Sequence, residues 1–136
     1  MTDVLTKEQR FRCMAANKGR NTSIEILLRR ELFSRRLRYR IHDRSLPGSP
    51  DIVFRRPKVA VFVDGDFWHG YRFPQWRHKL KAFWRKKIAD NRTRDARNHA
   101  RLRRRGWKVI RVWEHDVRSN LIAVADRVED EVRSRM

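Results

Sequence analysis

The stretch Asp51-Ile52-Val53-Phe54-Arg55-Arg56-Pro57-Lys58-Val59-Ala60-Val61-Phe62-Val63-Asp64-Gly65-Asp66-Phe67-Trp68-His69 reads as a β-hairpin whose open end gathers three carboxylates, an imidazole and two aromatics. Arg55 to Lys58 form the turn, so Phe54 faces Val59 and Asp51 faces Phe62. Asp64 lies two residues beyond Phe62. Strand alternation puts it on the same sheet face as Asp51, a diagonal neighbour about 7–8 Å away between backbones, close enough for both carboxylates to touch one cation. A slip of one residue would send Asp64 to the opposite face, so the shared site depends on this register.

The surrounding chain makes this anionic cluster unusual. It carries 35 Lys+Arg against 16 Asp+Glu, a formal net charge of +19, with a sequence pI of about 11.6. That is the range of nucleic-acid binders. Between Arg77 and Arg118 there are 16 Lys+Arg against 4 Asp+Glu, with Trp76, Phe83, Trp84, Trp107 and Trp113 in or beside the run. A basic run alone is commonly a solvated face. Cations that hold phosphates, combined with flat rings that stack on or wedge between bases, favour nucleic acid instead. An acidic, metal-ready cluster inside such a protein suggests a nuclease.

The length of 136 residues suits one domain, and 40% hydrophobic with 10% aromatic residues excludes a disordered chain. The longest apolar run, Val59 to Val63, is too short to cross a bilayer, and the N-terminus has no secretory pattern. Cys13 is the single cysteine, so neither an internal disulfide nor a thiolate zinc site is expected from it. These features point to a cytoplasmic, nucleoid-associated protein.

Outward from the hairpin, Thr6 and Gln9 are spaced as a capping box for a short helix running towards Ala16. Thr22-Ser23-Ile24-Glu25 is a second box, opening a helix with an Ile24, Leu27, Leu28, Leu32 stripe that ends near Arg35. Leu37, Tyr39 and Ile41 alternate with arginines as an edge strand, and Ser45 to Pro50 form a rigid loop. Beyond Gly70 two helices are expected, one holding Leu80, Phe83, Trp84 and Ile88, the other basic from about Thr93 to Arg105 and closed by Gly106. Trp107 to Trp113 is a strand, more central than the Tyr39 strand, with Glu114-His115-Asp116 at its end. Leu121, Val124, Val128 and Val132 mark a closing amphipathic helix. The class is α/β.

Several motifs together carry a resemblance: Ile24-Glu25, Leu46-Pro47-Gly48, Pro50-Asp51, Phe62-Val63-Asp64-Gly65, Phe67-Trp68-His69-Gly70, Phe83-Trp84, Lys87-Ile88, Gly106-Trp107-Lys108-Val109 and Val112-Trp113-Glu114. In this order and spacing, from about Arg10 to Glu114, the chain resembles the very short patch repair (Vsr) endonucleases. The resemblance implies a restriction-endonuclease-like three-layer sandwich, a central mixed sheet of about four strands flanked by helices. Residues 1–20 would be a DNA-contacting arm and 21–136 the catalytic core. It implies nicking of one strand of duplex DNA beside a T:G mismatch with magnesium, for which manganese can substitute, and mismatch-repair proteins as partners. Asp51 falls on the metal-ligating aspartate, His69 on the general base and Glu25 on the acid of the early helix. Phe67 and Trp68, with Trp84, fall on aromatics that wedge beside the mismatch, and Met14 on a helix that presses from the minor groove.

The departures are also informative. Where relatives hold a structural zinc, this chain has Asp66, Tyr71, Phe73 and His115, and only His115 is a usual zinc ligand. No structural zinc is therefore expected, the loop being held by packing of Tyr71 and Phe73. Where some relatives have Thr-His, this chain has Val63-Asp64, so the Val63 carbonyl and Asp64, directly or through water, complete the expected metal set. Asp66 is a third acid or an aid to loop folding. Arg92, Arg94 and Arg101 of the basic helix grip the DNA backbone without reading sequence. Each role has a plain rival: turn-capping for Asp51 and Asp64, helix capping for Glu25, a surface histidine for His69, core packing for the aromatics. Two functional rivals stand beside the T:G reading: a same-fold nuclease for another mismatch, lesion, branch or sequence, and a non-catalytic DNA-binding protein. A monomer is expected, since one nick needs one active site.

Overall fold

The computed structural model describes residues 22–67 and 69–136. The helix expected from Thr6, the 1–20 arm, Met14 and Trp68 lie outside the described residues. Helix α1, Ser23–Ser34, starts as expected: Thr22 is extended, and its hydroxyl accepts the Glu25 N–H at 3.3 Å. Such a cap contributes about 1 kcal/mol. Glu25 does not use its carboxylate to complete a capping box. The side chain is buried and turns to Arg29 and His42, two donors that satisfy a carboxylate more strongly than one backbone N–H. Ile24, Leu28 and Leu32 bury the helix stripe, whereas Leu27 is 44% exposed, on the flank of that stripe.

Strand β1 is only Arg40–Ile41. The expected longer strand is cut short because Leu37 drops into the core and Tyr39 spends its hydroxyl on the Arg29 carbonyl. Strands β2, Ile52–Phe54, and β3, Val59–Asp64, pair antiparallel as Ile52 with Val61 and Phe54 with Val59, the register counted from the turn. Strand β4, Lys108–Trp113, pairs parallel with β3, and the sheet order is β1-β2-β3-β4. β4 thus sits at an edge, not centrally as its apolar character suggests; helices cover both its faces, and that cover accounts for the composition.

A parallel pair needs a crossover. It runs through a helical turn α2, Phe73–Trp76, a 3₁₀ turn over Arg77–Lys79, and helix α3, Ala82–Arg104. The two helices expected here are one, since Ala89-Asp90-Asn91-Arg92 holds no Gly or Pro and the Thr93 hydroxyl donates to the Ala89 carbonyl one turn back. After β4, Glu114-His115-Asp116 opens a short helix α4, Glu114–Ser119, followed by α5, Leu121–Ser134. α1 and α5 pack on one face of the sheet over Ile52, Val61, Ile110 and Val112. On the other face Leu102 of α3 closes over Ala60, Phe62 and Val109. This is the mixed-sheet α/β sandwich of the restriction-endonuclease-like fold. No helix among the described residues is long and apolar enough to cross a membrane.

Candidate active site

The open end of the β2–β3 hairpin forms a cleft of about 640 Å³ in which Glu25, Asp51, Asp64, His69, Arg94 and Asp95 meet. Asp51 lies just before β2, tied to β3 twice: its N–H donates to the Val61 carbonyl at 3.0 Å, and its Oδ2 accepts the Val63 N–H at 2.7 Å. The Asp51 carboxyl is pushed up to about 7, chiefly by burial and further by the charges of Glu25 and Asp64, against the lowering pull of the Val63 N–H and of His69. Asp51, whose carboxylate has only the Val63 N–H as a hydrogen-bond partner among the described residues and lies near two other carboxylates, forms a setting that a divalent ion fits. Two groups of described residues place ligand atoms within 4.8 Å of one another: Glu25, His42 and Asp51, and Asp64, His69 and Asp95.

His69 follows β3 on a loop that lies close against α3. Gly70 makes that approach possible: its φ is +73°, and a Cβ there would meet Arg92 Cδ at 2.7 Å and Ile88 Cγ2 at 3.0 Å. The imidazole then reaches Asp95, its Nδ1 donating to Oδ2 at 2.7 Å, while Nε2 lies 3.5 Å from Asp64 Oδ1. A carboxylate only accepts, so Asp95 keeps the proton on Nδ1 and leaves Nε2 available as a base. Burial alone would lower the His69 pKa; the Asp95 hydrogen bond and the charges of Asp64 and Asp95 outweigh it, and the value is raised. Burial likewise opposes Asp95 ionisation, but His69 and Arg111 hold that carboxyl below the usual range. Arg111 on β4 bridges the group, with Nε 2.7 Å from Asp64 Oδ2 and Nη2 3.1 Å from Asp95 Oδ2. Burial and the Arg111 charge keep neighbouring His99 neutral to lower pH than usual; its ring tilts on Phe62 at 4.6 Å.

The expected site residues thus divide. Asp51 and Glu25 meet beside His42, and Asp64 and His69 meet beside Asp95, with Val63 lining the same cleft. Phe67 stacks on Trp76 at 5.3 Å and 17°, and Trp84 is half-buried in the same cluster around Phe73 and Ile88. Its edge-on neighbour Phe83 is 66% exposed and is the more prominent ring. Arg94 lines the cleft with Asn98, and Arg101, two helical turns beyond Arg94, is exposed on the same face of α3. Arg92 instead lies over the Phe73 ring at 5.6 Å.

Asp66 and His115 are outside the cleft lining and pair with each other, Nδ1 to Oδ1 at 2.8 Å. Tyr71 packs on Trp113 at 5.0 Å and on His115 at 4.4 Å, and Phe73 is buried. Three participants escaped the sequence reading. Asp95 had a signal, being one of two acids in the basic helix, and His42 would follow from extending the β1 pairing by one residue. Arg111 looked like one more cation of a basic chain, set in a mostly apolar strand.

Residues 2–75 match the family of DNA mismatch endonuclease Vsr. Over 136 residues the chain is 42% identical to the type II nicking enzyme V.NmeDIP of Neisseria meningitidis serogroup C, covering 98% of this chain and 92% of that protein. It is 43% identical over 122 residues to the type II nicking enzyme V.HpaIIP of Haemophilus parainfluenzae, covering 87% and 86%. DNA mismatch endonuclease Vsr of Escherichia coli strain K12 is 39% identical over 119 residues, covering 84% and 74%. With such relatives along nearly its whole length, and with a carboxylate-lined cleft at the end of a basic α/β sandwich, the chain belongs to the Vsr DNA mismatch endonuclease family and is a DNA-cleaving hydrolase.

Proposed function

We propose that the chain is a magnesium-dependent endonuclease that nicks one strand of duplex DNA at T:G mismatches in very short patch repair, acting as a monomer beside mismatch-repair proteins. The observation that carries this reading is the meeting, in one cleft, of crowded carboxylates around Asp51 with the His69–Asp95 pair. Asp51, Glu25 and the Val63 carbonyl would hold the ion, with Asp64 contributing through water because Arg111 already occupies one of its oxygens. A bound Mg2+ or Mn2+ supplies positive charge for the scissile phosphate and lowers the pKa of water. His69 Nε2 takes the proton from the attacking water, and Asp95 fixes the tautomer and stabilises the imidazolium that results. Arg94 faces the phosphate across the cleft, and Arg92 and Arg101 hold neighbouring backbone. Phe67, Trp68 and Trp84, with Met14 from the other groove, would separate a base step that a mismatch has already weakened.

The V.NmeDIP and V.HpaIIP relatives are named as nicking enzymes, which favours a second reading: the same chemistry at a different mismatch or sequence. Labelled duplexes that are matched, T:G mismatched or branched, incubated with Mg2+ and either the protein or its Asp51→Ala variant, separate the two. Nicking confined to T:G and lost in the variant is the expected result. Nicking of the other duplexes selects the second reading, and binding without cleavage of any of them defeats both.

A further inference from the structure

The β1–β2 pairing continues past the strands themselves: the His42 N–H donates to the Asp51 carbonyl at 3.1 Å, so His42 is the residue opposite Asp51. Directly opposed residues in an antiparallel ladder carry their side chains about 5 Å apart. His42 has φ +50°, a left-handed conformation uncommon for a residue with a Cβ, and its side chain is only 9% exposed. The imidazole points to the carboxylate pair: Nε2 is 2.7 Å from Glu25 Oε2. Arg29 Nη1 donates to that same oxygen at 2.8 Å. Glu25 Oε1 and Asp51 Oδ1 accept no hydrogen bond from any described residue, and they remain as open donors to a cation beside the imidazole.

We propose that His42 is a nitrogen ligand to the divalent ion held by Glu25 and Asp51, and that it moves this site's preference from magnesium towards divalent transition ions such as manganese. The inference rests on the metal-dependent reading above. The spacing suits it: one ligand atom from each of Glu25, His42 and Asp51 lies within 4.8 Å of the others, near the separations of about 3–4 Å between ligands of an octahedral ion with bonds of about 2.1 Å. Ligation needs the Nε2 lone pair, so the neutral imidazole transfers its one proton through solvent from Nε2 to Nδ1 as the ion arrives, with no net proton released. Imidazole adds affinity for transition ions and little for Mg2+, which prefers oxygen and keeps its water. The left-handed backbone at His42 is then the means by which a strand-end residue turns its ring inward to its cross-strand neighbour.

The test is Mn2+ binding to the intact protein, followed by electron paramagnetic resonance with pulsed detection of directly bound 14N. The wild type and His69→Gln should show nitrogen coupling, His42→Gln should lose it, and Asp51→Asn should bind no Mn2+ at this site. His42→Gln should weaken Mn2+ by tenfold or more and Mg2+ by less than threefold in competition titrations. Absence of bound Mn2+ or of nitrogen coupling in the wild type, which needs no variant to fold, overturns the proposal. So does coupling that follows His69, or equal loss of both ions. Nicking by Asp51→Asn in parallel assays would instead defeat the metal-dependent reading itself.

Discussion

Replacing Asp51 with asparagine should make the metal-free protein more stable while abolishing its activity. The carboxyl is displaced from 3.8 to about 7, chiefly by burial and then by Glu25 and Asp64. An acid whose folded pKa is raised imposes no penalty below its unfolded value; the penalty grows as pH climbs from about 4 to about 7 and is complete above that. At about 1.36 kcal/mol per unit, the whole displacement corresponds to about 4 kcal/mol. Asparagine retains an acceptor for the Val63 N–H and carries no charge. Allowing for solvent access and relaxation, a gain of about 2–4 kcal/mol at pH 8 is expected, roughly 10 °C in melting temperature for a domain of this size. At pH 5 the gain should fall to about 1 kcal/mol, because most of the penalty has not yet developed. Thermal and urea unfolding of both proteins in chelator at the two pH values measures this, and added Mg2+ should narrow the gap by stabilising only the wild type. A variant no more stable than the wild type at pH 8, or a gain independent of pH, would refute the picture of Asp51 as a carboxylate strained for want of a cation.

His69→Gln should lower nicking by about 10²–10⁴-fold with duplex binding retained, measured by single-turnover cleavage beside a binding titration. Because the His69 pKa is raised and the base form is the deprotonated one, nicking should increase with pH through a limb lying above the ordinary histidine value. Asp95→Asn should shift that limb to lower pH by removing a partner that favours the imidazolium; an unmoved limb would exclude Asp95 from the role. Arg94→Ala and Arg101→Ala should each lower the slope of log affinity against log salt by about 1 without altering base preference. Leu102→Ala, which empties a fully buried position between α3 and the sheet, should cost about 2–5 kcal/mol in denaturant unfolding.

The hairpin register was legible because a four-residue turn and period-two alternation leave little freedom, and Phe54 does face Val59. The Thr22 cap and the burial of Leu28, Leu32, Val128 and Val132 follow from local chemistry and helical spacing. What was illegible depends on contacts distant in sequence. Nothing near Arg111 reveals that its guanidinium closes on Asp64 and Asp95, because parallel pairing of β3 with β4 sets that meeting. His42 escaped for a related reason, a left-handed turn at a strand end that alternation does not foresee. The continuity of α3 was missed because polar composition suggested a break that no Gly or Pro enforces.

The crossover between β3 and β4 has a consequence for how this protein comes into being. Glu25, Asp51, His69, Asp95 and Arg111 come from an early helix, the hairpin, a loop, the crossover helix and the last strand. Contacts this far apart in sequence each carry the entropic cost of closing a long loop. Half-made chains emerging from the ribosome, with the hairpin built but β4 not yet added, have neither Arg111 nor a β4 edge against which to seat α3. The charge pairing of Asp64 and Asp95 is therefore completed only when the last strand has been added, although every other side chain of the cleft named above precedes it in the chain.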